Sequence, residues 1–160
     1  MQTQNPTPFP AGPAEQPEWP EGLGARVTGP ASGRAFDPER AGGPLEELSL
    51  ECVSITADGV ARVEEHLARF EADQANAVMV ERLQMIAAGE LKATEHDVKF
   101  YAHELREYER YKKMGWKHGQ PPGRRARVLW NNCHTAAMEE YGIHDAVKEL
   151  YHPDAKWYID

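Results

Sequence analysis

Nine of the 12 prolines in this 160-residue chain, and seven of its 13 glycines, fall within residues 1–48. Proline fixes φ and removes a backbone donor, and glycine adds entropy to the unfolded chain, so such a stretch neither continues a helix nor fills a core. Phe9, Trp19, Leu23 and Phe36 are the side chains in it large enough to dock. The composition predicts a disordered Pro/Gly-rich N-terminal arm over residues 1–48, extended, mobile or laid across the domain surface, with the domain itself at 49–160. A domain takes roughly 100–200 residues, so one core is expected.

Past Leu50 the apolar residues recur at helical spacing. Val60, Val63, Leu67 and Phe70 follow Thr56, an N-cap candidate, and predict a helix over 57–71. Met79, Leu83, Ile86 and Ala87 predict a second over 75–88, closed by Gly89. Thr94 and Asp97 have the spacing of a capping box and open a third over 95–114, with Val98, Tyr101, Ala102, Leu105 and Tyr108 facing the core and Gly115 following. After the loop at 119–123, Ala126, Leu129, Trp130, Cys133, Ala137 and Tyr141 mark a fourth over 124–141, stopped by Gly142. A short helix over 145–150 precedes Tyr151-His152-Pro153, read as a turn or extended segment. Weak alternation in Leu48–Val53 admits a small hairpin over 45–55. The expected fold is mainly α, an irregular bundle of four to five short helices.

The balance of 18 basic against 26 acidic residues gives a net charge of −8, which disfavours a general nucleic-acid coat protein. A nuclease remains open, because cations and a local basic patch offset global charge. Two cysteines are too few for a disulfide-stapled scaffold and fit a reducing, cytoplasmic setting. Neither a membrane span nor a cleavable signal peptide is expected. Nucleotide-binding glycine loops, the Gly-x-Ser-x-Gly elbow, Cys-x-x-Cys pairs and calcium loops are missing from the sequence.

The chemistry concentrates in His103-Glu104-Leu105-Arg106-Glu107. Residues four apart share a helix face, so His103 and Glu107 can address one proton, substrate or divalent metal, with Glu104 beside them. A second histidine of the His-Glu-x-x-His kind is missing, so His134 and His152 are the candidates to complete the site. Surface ion pairing of His103, Arg106 and Glu107 is the alternative. Trp130 and His134, one turn apart, could wall a pocket, with Asn131 orienting a ligand. Cys133 lies on the apolar stripe and is assigned to the core. Lys112, Lys113, Lys117, His118, Arg124, Arg125 and Arg127, with Trp116 among them, form a basic concentration where Arg124 and Arg125 could meet a phosphate.

Three stretches, Phe100–Glu107, Leu129–Gly142 and Leu150–Pro153, resemble the C-terminal effector domains of bacterial polymorphic toxins of the Rhs-repeat and filamentous-haemagglutinin type, and so does the segment over 55–70. The resemblance covers about residues 50–155. It implies a toxin domain brought by a delivery carrier or secretion apparatus into a target-cell cytoplasm and neutralised by a cognate immunity protein. Such domains include nucleases, peptidases, deaminases and transferases, so no single reaction is implied. The residues it would make catalytic are His103, Glu104, Glu107, His134 and His152. The functional expectation is a hydrolytic effector; the rivals are a non-enzymatic interaction domain with a Pro-rich recruiting arm, and a phosphate or nucleic-acid binder using the 112–127 loop.

Overall fold

The computed structural model describes residues 25–159, and it is mainly α, as the periodicity predicts. Each long helix begins and ends where local chemistry requires. Helix α1 (Ala57–Leu67) starts at Thr56, whose Oγ1 accepts the Gly59 N–H at 3.0 Å. It stops four residues short of the expected end because the buried Arg69 turns back and donates to the His66 carbonyl, and the chain must then reach Asp73, the cap of α2 (Gln74–Ala87). Helix α3 (Glu95–Lys113) opens with both halves of the Thr94–Asp97 capping box, and α4 (Arg124–Tyr141) ends on Gly142 at φ 65°, the left-handed position glycine favours. Two short helices follow, α5 (Ala146–Leu150) and α6 (Pro153–Lys156). The expected turn at His152-Pro153 is thus the start of α6: proline at the first helical position has no N–H to leave unpaired.

Helix α3 is the axis of the domain, packed by α1, α2, α4 and α5. The main core gathers Val60 and Val63 from α1, Met79 and Leu83 from α2, Phe100 and Tyr101 from α3, and Met138, Ile143 and Leu150 from the C-terminal half. Each such side chain contributes on the order of 1.5–3 kcal/mol when fully buried. A second cluster joins Tyr111, Met114, Leu129 and Cys133, which places Cys133 in the core as expected; burial pushes its thiol pKa up. No helix among the described residues is long and apolar enough to cross a membrane.

The N-terminal expectation needs correction. Residues 1–24 lie outside the described residues, but residues 25–48, assigned to the disordered arm, are packed on the domain. Strands β1 (Val27–Thr28) and β2 (Ala35–Phe36) pair antiparallel, so the hairpin stands here; residues 45–55 carry only a 3-10 turn at Leu50–Cys52. A polar strip on α4 with a spacing of four holds the segment. Asn131 accepts from Arg34 and donates to Ala35 O, Thr135 accepts from Arg34 Nε at 2.9 Å, and Glu139 accepts the N–H groups of Ala31 and Ser32. Phe36 and Ala41 are buried against Ala136. Farther on, the buried Arg110 donates to the carbonyls of Ala41, Gly43 and Pro44 and to Glu140. A segment too poor in apolar residues to make its own core is therefore fixed by hydrogen bonds to a core made elsewhere.

Candidate functional site

On α3 the helical repeat places His103 and Glu107 on one face with Glu104 beside them, and the packing turns that face inward. All three are buried, Glu107 to 1% exposure, so His103 and Glu107 do not form surface ion pairs, whereas Arg106 does pair, with Glu46 and Glu140. His134 meets them from α4 and His66 from α1. The sequence reading missed His66, although it stands three residues after Val63 and four before Phe70, on the buried face of α1. The cluster therefore combines three imidazoles and two carboxylates from three helices.

The Glu107 carboxylate is its centre. Oε1 accepts from His66 Nε2 at 2.9 Å, and Oε2 accepts from His134 Nδ1 at 3.1 Å with His103 Nε2 at 3.7 Å. Glu104 stands behind, with Oε2 3.3 Å from His103 Nδ1 and Oε1 3.8 Å from His66 Nε2. Burial alone would raise the Glu107 pKa, but the hydrogen bonds from His134 and His66 outweigh it and hold the carboxyl well below the usual range. Burial also disfavours a charged His103, yet the hydrogen bond and charge of Glu104, with the charge of Glu107, leave its pKa raised. For His134, burial and the nearby His103 prevail over Glu107, and its pKa is lowered. Two neighbouring imidazoles thus have pKa values pushed apart, the arrangement that separates a proton donor from an acceptor.

These groups could hold metal ions. The ligand atoms of His103, Glu107 and His134 lie within 4.8 Å of one another, and so do those of His66, Glu104 and Glu107. Imidazole nitrogen with carboxylate oxygen suits zinc, manganese or ferrous iron.

Two aromatic rings border the cluster. Trp130 stacks on His134, with centroids 4.3 Å apart and planes at 17°, and Phe70 stands edge-on to His66 at 5.3 Å. Both rings also line a groove of about 370 Å³ with Gln120, Ala126 and Arg127, so the groove is one ring's thickness from the cluster. Arg69 donates to the carbonyls of Trp116, Lys117 and Gly119, fixing the loop that carries Gln120 to the groove. A larger groove of about 500 Å³ along α1 and α2, lined in part by Glu64, Glu71, Asp73 and Glu81, contains none of the cluster.

Other predicted site residues are placed elsewhere. His152 caps α6, accepting the Asp154 N–H at 3.0 Å, and its ring meets His96, so it does not complete the cluster. Asn131 spends both ends of its amide on the hairpin and is not a ligand-orienting group. Arg124 and Arg125 occupy the first turn of α4 outside the groove lining, where Arg127 stands instead. Within the basic stretch, Lys112 pairs with Glu109 and His118 with Glu65. No family model, curated protein or solved structure matches the chain.

Proposed function

We propose that this chain is a hydrolytic effector domain of the bacterial polymorphic-toxin kind, acting through a divalent cation held by His103, Glu107 and His134. The observation that carries this reading is the Glu107 carboxylate buried between histidines from two other helices, next to a groove large enough for part of a substrate. A cation there supplies Lewis acidity. Arg127 gives the groove a positive charge, which favours an anionic group such as a phosphate. Glu104 orients His103 through its Nδ1, at 3.3 Å. A cognate immunity protein and a delivery carrier belong to the same proposal.

The interaction-domain reading has one observation of its own: Trp157 is 87% exposed, with Tyr158 and Val147 about half exposed. Growth under tight induction separates the two. Wild type should arrest bacterial growth, and Glu107→Gln and His134→Gln, at matched soluble levels, should relieve the arrest. Normal growth with abundant folded wild type would overturn the toxin reading and favour the interaction domain.

A further inference from the structure

The two oxygens of Glu107 face different donor sets. Oε1 points to His66 with Glu104, and Oε2 points to His134 with His103. We propose that the cluster is a carboxylate-bridged centre for two divalent cations, the second held by His66, Glu104 and Glu107. This rests on the metal-dependent reading above and adds a site and a stoichiometry to it.

Geometry, donor chemistry and charge support the pair independently. A cation with bonds of roughly 2.0–2.1 Å to nitrogen and oxygen sets neighbouring ligands about 3.3 Å apart in a tetrahedral arrangement. The distances here bracket that value: 3.1 and 3.7 Å on the Oε2 side, 2.9 and 3.8 Å on the Oε1 side. Only small side-chain adjustments are needed to admit an ion on each side. Paired hydrolytic cations stand roughly 3.5–4 Å apart, a separation one bridging carboxylate spans. Each set supplies three protein ligands, one short of the four of a closed tetrahedral site.

Glu104 has a second task. Its Oε2 faces His103 Nδ1 and so orients that ring, whose Nε2 lies 3.3 Å from the His134 carbonyl and 3.7 Å from Glu107 Oε2; an ion on that side takes the place of the carbonyl contact, while Glu104 Oε1 faces the second ion's place.

Charge balance points the same way. The buried Glu140 is matched by two guanidiniums, from Arg106 and Arg110. The hydrogen bonds received by Glu107 come from imidazoles instead, and Arg34 and Arg69 act on it only at longer range. Two carboxylates in a water-poor site thus lack fixed cations, and divalent ions supply them. On binding, each ion takes the place of imidazole N–H protons, which pass to solvent.

The test is metal stoichiometry on the full chain, stripped with a chelator and dialysed against Mn(II), read by elemental analysis and by electron paramagnetic resonance. Wild type should bind two ions per chain and give the broadened signal of a coupled pair. His66→Gln should bind one and give the signal of an isolated ion. Glu104→Gln, which nearly preserves volume, should also lose one and serves if His66→Gln does not fold by circular dichroism. One ion or none in folded wild type, two uncoupled ions, or two that persist in both variants would overturn the pair. Growth arrest that depends on Glu107 with a single bound ion would leave the hydrolytic reading intact, whereas a coupled pair without growth arrest would overturn that reading alone.

Discussion

Arg110→Met tests whether residues 25–48 belong to the fold. Arg110 is 1% exposed; its guanidinium donates to the carbonyls of Ala41, Gly43 and Pro44 and to both oxygens of Glu140. Methionine keeps much of the volume and removes every donor. Glu140 retains its two-point contact with Arg106, at 2.8 and 2.7 Å, so it is not left unpaired. The three carbonyls lose their partner, at about 1–3 kcal/mol each if they stay buried. That sum exceeds what burial of Phe36 returns, about 1.5–3 kcal/mol, so the segment should lift away from α4 and let water reach the carbonyls. The net loss is therefore nearer the 3–5 kcal/mol, roughly, of a broken buried pair. At roughly 3–5 °C per kcal/mol for a domain of this size, Tm should fall by about 10–20 °C. Urea unfolding measures the loss, and trypsin measures its location: Arg34 and Arg40, resistant in the wild type, should be cut in the variant before the helices are. A loss under about 1 kcal/mol, the worth of an exposed ion pair, with unchanged cleavage at both arginines would refute the reasoning.

Two further perturbations test other parts of the fold. Gly59→Ala, which in an ordinary helix gains about 0.5–1 kcal/mol, should instead destabilise by about 1–3 kcal/mol, because its Cβ would stand 1.7 Å from Tyr101 Oη; a stabilised variant in urea denaturation would contradict this. Acid should weaken the protein through Asp97 and Glu140: burial alone would raise both pKa values, but the hydrogen bonds from Arg82 and Thr94 to Asp97, and from Arg106 and Arg110 to Glu140, hold them below the usual range. Their stabilisation is therefore complete above the unfolded carboxyl pKa of roughly 4 and is lost as pH falls below it. The stability gap between wild type and Asp97→Asn should shrink from pH 7 to pH 3, and a gap independent of pH would exclude Asp97 as a source of the acid sensitivity.

The long helices were legible because their signals are local. Thr56, Thr94 and Gly142 mark ends that depend on the next few residues, and the spacing of Val60, Met79 and Leu129 declares a buried face regardless of what covers it. His103, Glu107 and His134 were legible through helix spacing and residue type. His66 was not, because a histidine between apolar neighbours reads as part of a core face until α3 brings Glu107 to it. His152 was misplaced for the same reason, since its distance from α3 is set by α5, α6 and the turn between them. The order of residues 25–48 depends on Arg110, 66 to 69 positions from its partners, and on Asn131, Thr135 and Glu139, 96 to 108 positions from theirs, and no window on the arm contains them.

That separation also sets an order of events during synthesis. The contacts between the hairpin and α4 join residues 95 to 108 positions apart, so the segment leaves the ribosome long before the helix that receives it. At about 5–20 residues per second it waits on the order of 5–20 s, with the proline- and glycine-rich composition that keeps it from forming alternative structure in the interval. What is translated early docks late, and the same poverty of apolar side chains that hides its fold from the sequence keeps it soluble until α4 exists.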